Sequence, residues 1–169
     1  MKTKVIFLIS LILVVGVFSG CFSVTQKGSL EGEVWGESGP LAGAVVEGGG
    51  STSMTNEEGK FLIEGLPSGE TYLFFSCLGY TGKAIKVEVK AGETGKINQE
   101  GRIYLVPQDE ESLKDYIFEL YSLGFYERAI SQVDLFLTDY PEGNSLPQVL
   151  FIKGASLYHL KNFQDAISL

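Results

Sequence analysis

The sequence predicts two modules in series, an all-β antiparallel sandwich followed by an all-α array of helical hairpins. Three observations predict it. From Ser29 to Pro107 the apolar residues fall in short runs, mostly alternating, with glycine-rich turns between them. After Pro107 the apolar period changes from 2 to 3.6. The second part also repeats itself: Leu120-x-x-Leu123-Gly124-x-Tyr126-x-x-Ala129-Ile130 returns 37 residues later as Leu157-x-x-Leu160-Lys161-x-Phe163-x-x-Ala166-Ile167.

Ahead of both modules stands Met1-Lys2-Thr3-Lys4, then an uncharged apolar run from Val5 to Phe18, then Ser19-Gly20-Cys21. A basic start, an apolar core and small residues before a break make a secretory signal peptide. The ending Val17-Phe18-Ser19-Gly20-Cys21 resembles a bacterial lipobox, with Phe18 where Leu is commoner. That resemblance implies cleavage before Cys21 and a diacylglycerol on its thiol. The alternative is an uncleaved anchor helix, since the uncharged stretch Val5 to Gln26 reaches the roughly 20 residues that span a bilayer. Either way the rest of the chain is expected in the bacterial cell envelope, tied to a membrane and facing the periplasm or exterior. The expected organisation is a signal peptide (1–20), a lipidated tether (21–28), the sandwich (29–107), a linker (108–111) and the helical repeats (112–169).

The 169-residue chain carries 13 Lys and Arg against 21 Asp and Glu, a formal net charge of −8. Loss of Lys2 and Lys4 with the leader makes it more acidic still. Such a surface argues against nucleic acid, whose binding rests on cations that neutralise phosphates. It argues equally against a polybasic grip on anionic lipid. If Cys21, one of the two cysteines, is lipidated, Cys77 is left without a disulfide partner. Cys77 lies in the apolar run Tyr72-Leu73-Phe74-Phe75-Ser76-Cys77-Leu78 and is read as a small buried hydrophobe.

The sandwich is read strand by strand. Leu30, Gly32 and Val34 share one face of a first strand, and Trp35 falls on the opposite face. Glu37-Ser38-Gly39-Pro40 turns the chain, and Ala44 to Glu47 forms a second strand. Asn56-Glu57-Glu58-Gly59 is a turn whose glycine is expected at positive φ. Phe61 and Ile63 alternate, Leu66-Pro67-Ser68-Gly69 turns, and Tyr72 to Leu78 is a nearly continuous apolar strand, expected to be central. Ile85, Val87 and Val89 face inward on the next strand, and Ile103 to Val106 closes a set of seven or so. In order and spacing, Gly32-x-Val34, Gly39-Pro40-Leu41-Ala42-Gly43-Ala44-x-Val46, Thr55-Asn56-x-x-Gly59-x-Phe61, Leu66-Pro67-x-Gly69-x-Tyr72 and Gly79-Tyr80 resemble the carboxypeptidase regulatory-like domain. The resemblance covers Ser29 to Pro107. It implies a transthyretin-like sandwich that is itself non-catalytic and serves as a folding or contact module beside another domain.

In the second part, Leu113, Tyr116, Ile117, Leu120 and Leu123 form one helical stripe, ended by Gly124. Tyr126, Ala129, Ile130, Val133, Phe136 and Leu137 form the next, stopped at Tyr140-Pro141. Pro147 opens a third helix bearing Leu150, Ile152, Ala155, Leu157 and Leu160, and a fourth begins at Phe163. The internal repeat, Ala129 twelve residues ahead of Pro141, and the run Phe136 to Pro141 followed by Pro147 and Gly154 resemble tetratricopeptide repeats, in the longer form found in outer-membrane assembly lipoproteins. Lys161 departs from that pattern, standing where Gly is usual. The resemblance implies a concave groove for a protein or peptide partner. Stacks of this kind need about three repeats, so the natural chain is expected to continue past Leu169; the alternative is that it caps itself on a partner.

Residues that carry chemistry are scarce. The one histidine, His159, is expected to be solvated, and a zinc carboxypeptidase site needs two histidines and a carboxylate. Gly48-Gly49-Gly50 opens no helix, so it does not read as a phosphate cradle. Glu57-Glu58 and Asp109-Glu110-Glu111 lack the alternating spacing of a calcium loop. No catalytic residue, metal or cofactor is therefore expected. The expected function is a membrane-anchored, non-enzymatic scaffold for protein contacts. Two alternatives stand beside it: a carbohydrate or peptidoglycan binder using the sandwich, with Trp35 as the ligand contact, and an accessory region of an enzyme that extends beyond residue 169.

Overall fold

The computed structural model describes residues 26–168. The signal peptide, the lipidation at Cys21 and the start of the tether lie outside the described residues. Nine strands come first: β1 (Lys27–Gly36), β2 (Gly39–Pro40), β3 (Val45–Gly48), β4 (Ser51–Met54), β5 (Lys60–Pro67), β6 (Gly69–Cys77), β7 (Tyr80–Val89), β8 (Thr94–Lys96) and β9 (Arg102–Tyr104). Four helices follow: α1 (Glu110–Ser122), α2 (Tyr126–Asp139), α3 (Leu146–His159) and α4 (Phe163–Ile167).

The strands form two sheets. One has the order β4-β3-β6-β7 and is antiparallel throughout. The other is built around β1, which pairs antiparallel with β2 and β5. On its other side β1 takes β8 and β9 in parallel, which corrects the expectation of a purely antiparallel sandwich of about seven strands. The physical reason is the route of the chain. After β7 it crosses from one sheet to the other and re-enters beside β1 in the same direction, and parallel pairing requires such a crossover. The two re-entering strands are only three residues each, too short for an alternation to be read.

Between the sheets lies the first core, with Leu30, Val34, Ile63 and Leu66 on one side and Val46, Leu73, Phe75 and Val89 on the other, all buried. Phe61 meets Phe75 edge-on across the layer, ring centroids 5.8 Å apart. Cys77 is half-buried against this core and has no disulfide. Gly59 has the expected positive φ, +73°.

A second core lies on the outer face of the β6–β7 sheet. Phe74 and Ala84 point away from the sandwich and are buried with Leu113, Tyr116, Ile117, Leu120, Ala129, Val133 and Phe136 of α1 and α2, and Val149 and Ile152 of α3. The continuous apolar run at β6 is thus a strand buried on both faces. The close approach of α1 is set by Gly82: a Cβ there would come within 2.4 Å of the Tyr116 ring.

Residues 108–111, expected to be a linker, are the joint that fixes α1. The Asp109 side chain caps the helix by accepting from the Ser112 N–H (2.7 Å), and the Ser112 hydroxyl accepts from the Asp109 N–H (3.0 Å). The same hydroxyl meets Thr81 Oγ1 of β7 at 2.7 Å. Glu110 Oε1 accepts from the Ser145 N–H ahead of α3 (2.7 Å), tying the start of α1 to the start of α3.

The sequence repeat is also a repeat of backbone geometry. At the α1–α2 turn, Leu123, Gly124 and Phe125 donate to Glu119, Tyr121 and Leu120 carbonyls; at the α3–α4 turn, Leu160, Lys161 and Asn162 donate to Ser156, Tyr158 and Leu157 carbonyls. Both turns contain a left-handed residue, Gly124 at φ +82° and Lys161 at φ +61°. Lys161 is the one non-glycine residue with positive φ among the described residues.

Two outcomes test this packing. Phe74→Ala should destabilise the chain by about 3–5 kcal/mol, because it empties a site walled by both a sheet and helices, as read by chemical denaturation. Lys161→Gly should raise stability by about 0.5–1 kcal/mol, relief of the left-handed penalty outweighing the extra freedom of the unfolded chain, as read by the shift in denaturation midpoint.

Candidate interaction surface

The helices expose a row of large apolar side chains. On α3, Phe151 and Tyr158 lie seven residues apart, hence on one face, and are 70% and 64% exposed. On α4, Phe163 and Ile167 are four apart and 48% and 83% exposed. Tyr158 and Phe163 touch edge-on at 5.4 Å, so the row is continuous across the α3–α4 turn. Scattered apolar residues on a surface are ordinary, whereas a contiguous patch marks a contact site.

His159, expected to be solvated, lies at the edge of this region on the side facing the preceding turn. Its ring is exposed, but it stacks on Tyr126 with centroids 4.5 Å apart and an interplanar angle of 1°. Its Nε2 lies 3.5 Å from the Tyr121 hydroxyl. The histidine therefore seals α3 against the α1–α2 turn.

A concavity of about 770 Å³ runs between the ends of β3 and β6 and helix α2. Cys77, the fully exposed Leu78, Leu135 and Asp139 line it. Arg128 crosses it: the guanidinium lies 3.9 Å over the Phe74 ring and donates to Glu47 Oε2 of β3 at 2.9 Å. Both ends of this ion pair are exposed, so its contribution is under about 1 kcal/mol, but it latches α2 to the edge of the second core. At the other side of the joint, burial pushes the Tyr116 hydroxyl up to about 12 and raises Glu119 above its ordinary value.

Trp35 is on β1, half-buried on the outer face of its sheet. Its indole N–H donates to Glu33 Oε2 (2.9 Å), and Arg102 of β9 donates to the same oxygen (2.9 Å) while lying 4.5 Å over the indole ring. One ring face that a sugar would stack on is thus taken by the guanidinium. The Trp35–Glu33–Arg102 cluster ties β9 to β1. Cys21 lies outside the described residues. Among the described residues, no three His, Cys, Asp or Glu side chains converge to hold a metal ion, and no helix is long and apolar enough to cross a membrane.

Comparison with known proteins bears on the strand region. Residues 30–105 match the family model of the CarboxypepD_reg-like domain. This CarboxypepD_reg-like domain accounts for both sheets and ends before α1. No curated protein matches the chain. Among solved structures, the TIE protein of Bacillus anthracis is similar at 26% identity over 48% of this chain and 17% of that one, TM-score 0.39. GBS52, the minor pilin of Streptococcus agalactiae, is similar at 19% identity over 50% of this chain and 46% of its own, TM-score 0.39. A cohesin–X-dockerin complex from Acetivibrio cellulolyticus is similar at 18% identity over 54% and 72%, TM-score 0.40. The chain thus spans less than half the length of the first two.

The exposed row on α3 and α4 has a sequence signal, the period of α3, but not one that separates it from a core stripe. The expected stripe of Leu150, Ile152, Ala155, Leu157 and Leu160 is corrected in part: Ile152 and Leu157 are buried, but Leu150, Ala155 and Leu160 are half-buried, and the buried face of α3 is Val149, Ile152, Ser156 and Leu157, which leaves Phe151 and Tyr158 outward.

The CarboxypepD_reg-like domain supplies its own pH probe. Arg102 first, and the Trp35 indole second, hold the Glu33 carboxyl below its ordinary value of 4.5. A carboxylate lowered on folding adds stability above its unfolded value and loses it as pH falls through the folded value. Trp35 emission should therefore titrate with a midpoint below 4.5, and Arg102→Ala should move that midpoint up towards 4.5.

Proposed function

We propose that this chain is a non-enzymatic envelope lipoprotein that scaffolds protein–protein contact through its helices. In this reading Cys21 carries the lipid and holds the chain to a membrane, and the CarboxypepD_reg-like domain stands next to it as a rigid base. The helices act as tetratricopeptide-like hairpins, a partner protein lying against their uncovered face. The observation that carries the reading is the exposed pair Phe151 and Tyr158 on α3, whose opposite face is buried, with Phe163 meeting Tyr158 edge-on. Aromatic and aliphatic side chains of this kind, desolvated on binding, supply most of the affinity of protein interfaces.

The base matters to this function. Because α1 is capped against β7 and α2 is latched to β3, the row has a fixed orientation relative to the sandwich. A partner held there is held at a set distance from the anchor, which a flexible linker would not provide.

The test is site-specific photo-cross-linking in the native envelope. A photoreactive residue at position 151 or 167 should give protein adducts, one at position 62 on the outer face of the sandwich should not, and Phe163→Asp should abolish the adducts at 151. In the same cells Cys21→Ser should shift the protein from the membrane pellet to the soluble fraction. Adducts of equal yield at 62 and 151 would contradict the scaffold, and a Cys21→Ser protein that stays in the pellet would contradict the lipid anchor.

A further inference from the structure

The concavity between β3, β6 and α2 belongs to the middle of the chain. Arg128, Gln132, Leu135 and Asp139 form one stripe of α2 along it. Asp134, through which α2 meets Lys153 of α3 at 2.7 Å, lies on a different face of the helix. No residue of α3 or α4 lines the concavity, so growth of the helical repeat leads away from it. β1 enters at the opposite end of the sandwich, where Lys27 pairs with Pro67, whereas the concavity lies at the Cys77–Tyr80 end of β6 and β7.

One group in its lining has no partner in the fold. Tyr116 is 7% exposed, its ring packed on Gly82 within the second core. Its hydroxyl makes no hydrogen bond among the described residues; burial and the charges of Arg128, Glu119 and Glu47 are what act on it. Two of those three, Arg128 and Glu47, line the concavity with it. A phenylalanine would pack in this place without the cost of a desolvated hydroxyl. Ser76 and Gln132 line the same space, and their side chains also make no hydrogen bond among the described residues. Hydroxyls and a carboxamide both donate and accept, which suits the N–H and C=O groups of an extended main chain; a helix would already have used its own.

Apolar area and charge narrow the occupant further. Leu78, 99% exposed at the β6–β7 turn, and Leu135 of α2 flank the space. Arg128 is matched by Glu47, but Asp139 is met only by the neutral Gln108 amide at 2.9 Å. The lining is therefore net negative, in a chain of net charge −8, and complements a cation. We propose that this concavity receives an extended segment of a partner protein, with an apolar side chain over Leu78 and Leu135, a neighbouring Lys or Arg reaching Asp139, and main-chain groups on the Tyr116 hydroxyl and Gln132. The surface is separate from the row on α3 and adds a second point of contact, of different chemistry, to the scaffold reading.

The test uses the full-length chain in lipid nanodiscs and an array of random heptapeptides built around a central apolar–basic pair, with a matching array in which glutamate replaces the basic residue. Saturable binding is expected on the first array and not on the second, and the strongest peptide is then titrated by fluorescence anisotropy. Tyr116→Phe should weaken that peptide about threefold to tenfold, while leaving the melting temperature unchanged or higher. Asp139→Asn should weaken it about threefold and flatten its salt dependence. Leu78→Ser, at a fully exposed site, should weaken it without altering the circular-dichroism spectrum. Absence of binding, equal binding to the glutamate array, or binding indifferent to both Tyr116→Phe and Asp139→Asn would overturn the proposal. So would a lowered melting temperature for Tyr116→Phe, which would give the hydroxyl a role within the fold. Any of these results, with cross-linked adducts at position 151 retained, would remove this surface and leave the scaffold reading standing.

Discussion

The fold depends on one strand being buried on both sides. β6 sends Leu73 and Phe75 into the sandwich and Phe74 out into the helices. A single edge of alternation would have left one face to water; here both faces are apolar, and each is closed by a different layer. Removing the helices would strand Phe74 and Ala84 on a solvated sheet, and removing the sandwich would leave α1 and α2 with no wall. Phe125 marks the seam, meeting Tyr72 at 5.1 Å and Phe74 at 4.8 Å, both edge-on. Burial of a phenylalanine side chain is worth about 1.5–3 kcal/mol, far more than the exposed Arg128–Glu47 pair that borders it, so apolar packing holds the two parts together and the ion pair only trims their edge.

From that constraint follows the packing order of the helices. α1 is held to the sheet by its cap, by the Thr81–Ser112 contact and by Gly82 allowing Tyr116 to approach. α2 and α3 then pack outward in turn, each covering its predecessor. On α3, Phe151 and Tyr158 point away from that packing. Stability is concentrated at the sheet, where both cores meet the two-faced strand.

Much of this was legible in the residues and some was not. The turn glycines, the inward alternation of Val87 and Val89 and the helical stripes of α1 and α2 follow from period and turn chemistry. The apolar run Tyr72–Cys77 announced a central strand, but alternation cannot say whether a helix or a sheet covers its second face, so the shared core escaped. The parallel pairing of β8 and β9 escaped because three-residue strands carry no pattern and pairing direction is a property of the chain's route. The acids Asp109-Glu110-Glu111 read as helix-start charges, and they cap and open α1; the ties of this segment to Thr81 and Ser145 are long-range and carry no local signal. The stacking of His159 on Tyr126 spans 33 positions and has no local signature. Lys161 stood out as a departure from the repeat, and its backbone follows the glycine it replaces.

The most direct measurement is equilibrium unfolding followed by two probes on one sample. Trp35 is the chain's one tryptophan and reports the sandwich, while the far-ultraviolet signal at 222 nm is dominated by the helices. If β6 joins both cores into one cooperative unit, fluorescence and circular dichroism will give a single coincident transition in denaturant. Two separated transitions, with the helical signal lost while Trp35 keeps its native emission, would mean that the helices fold independently of the sandwich and that the two-faced strand does not hold the molecule together.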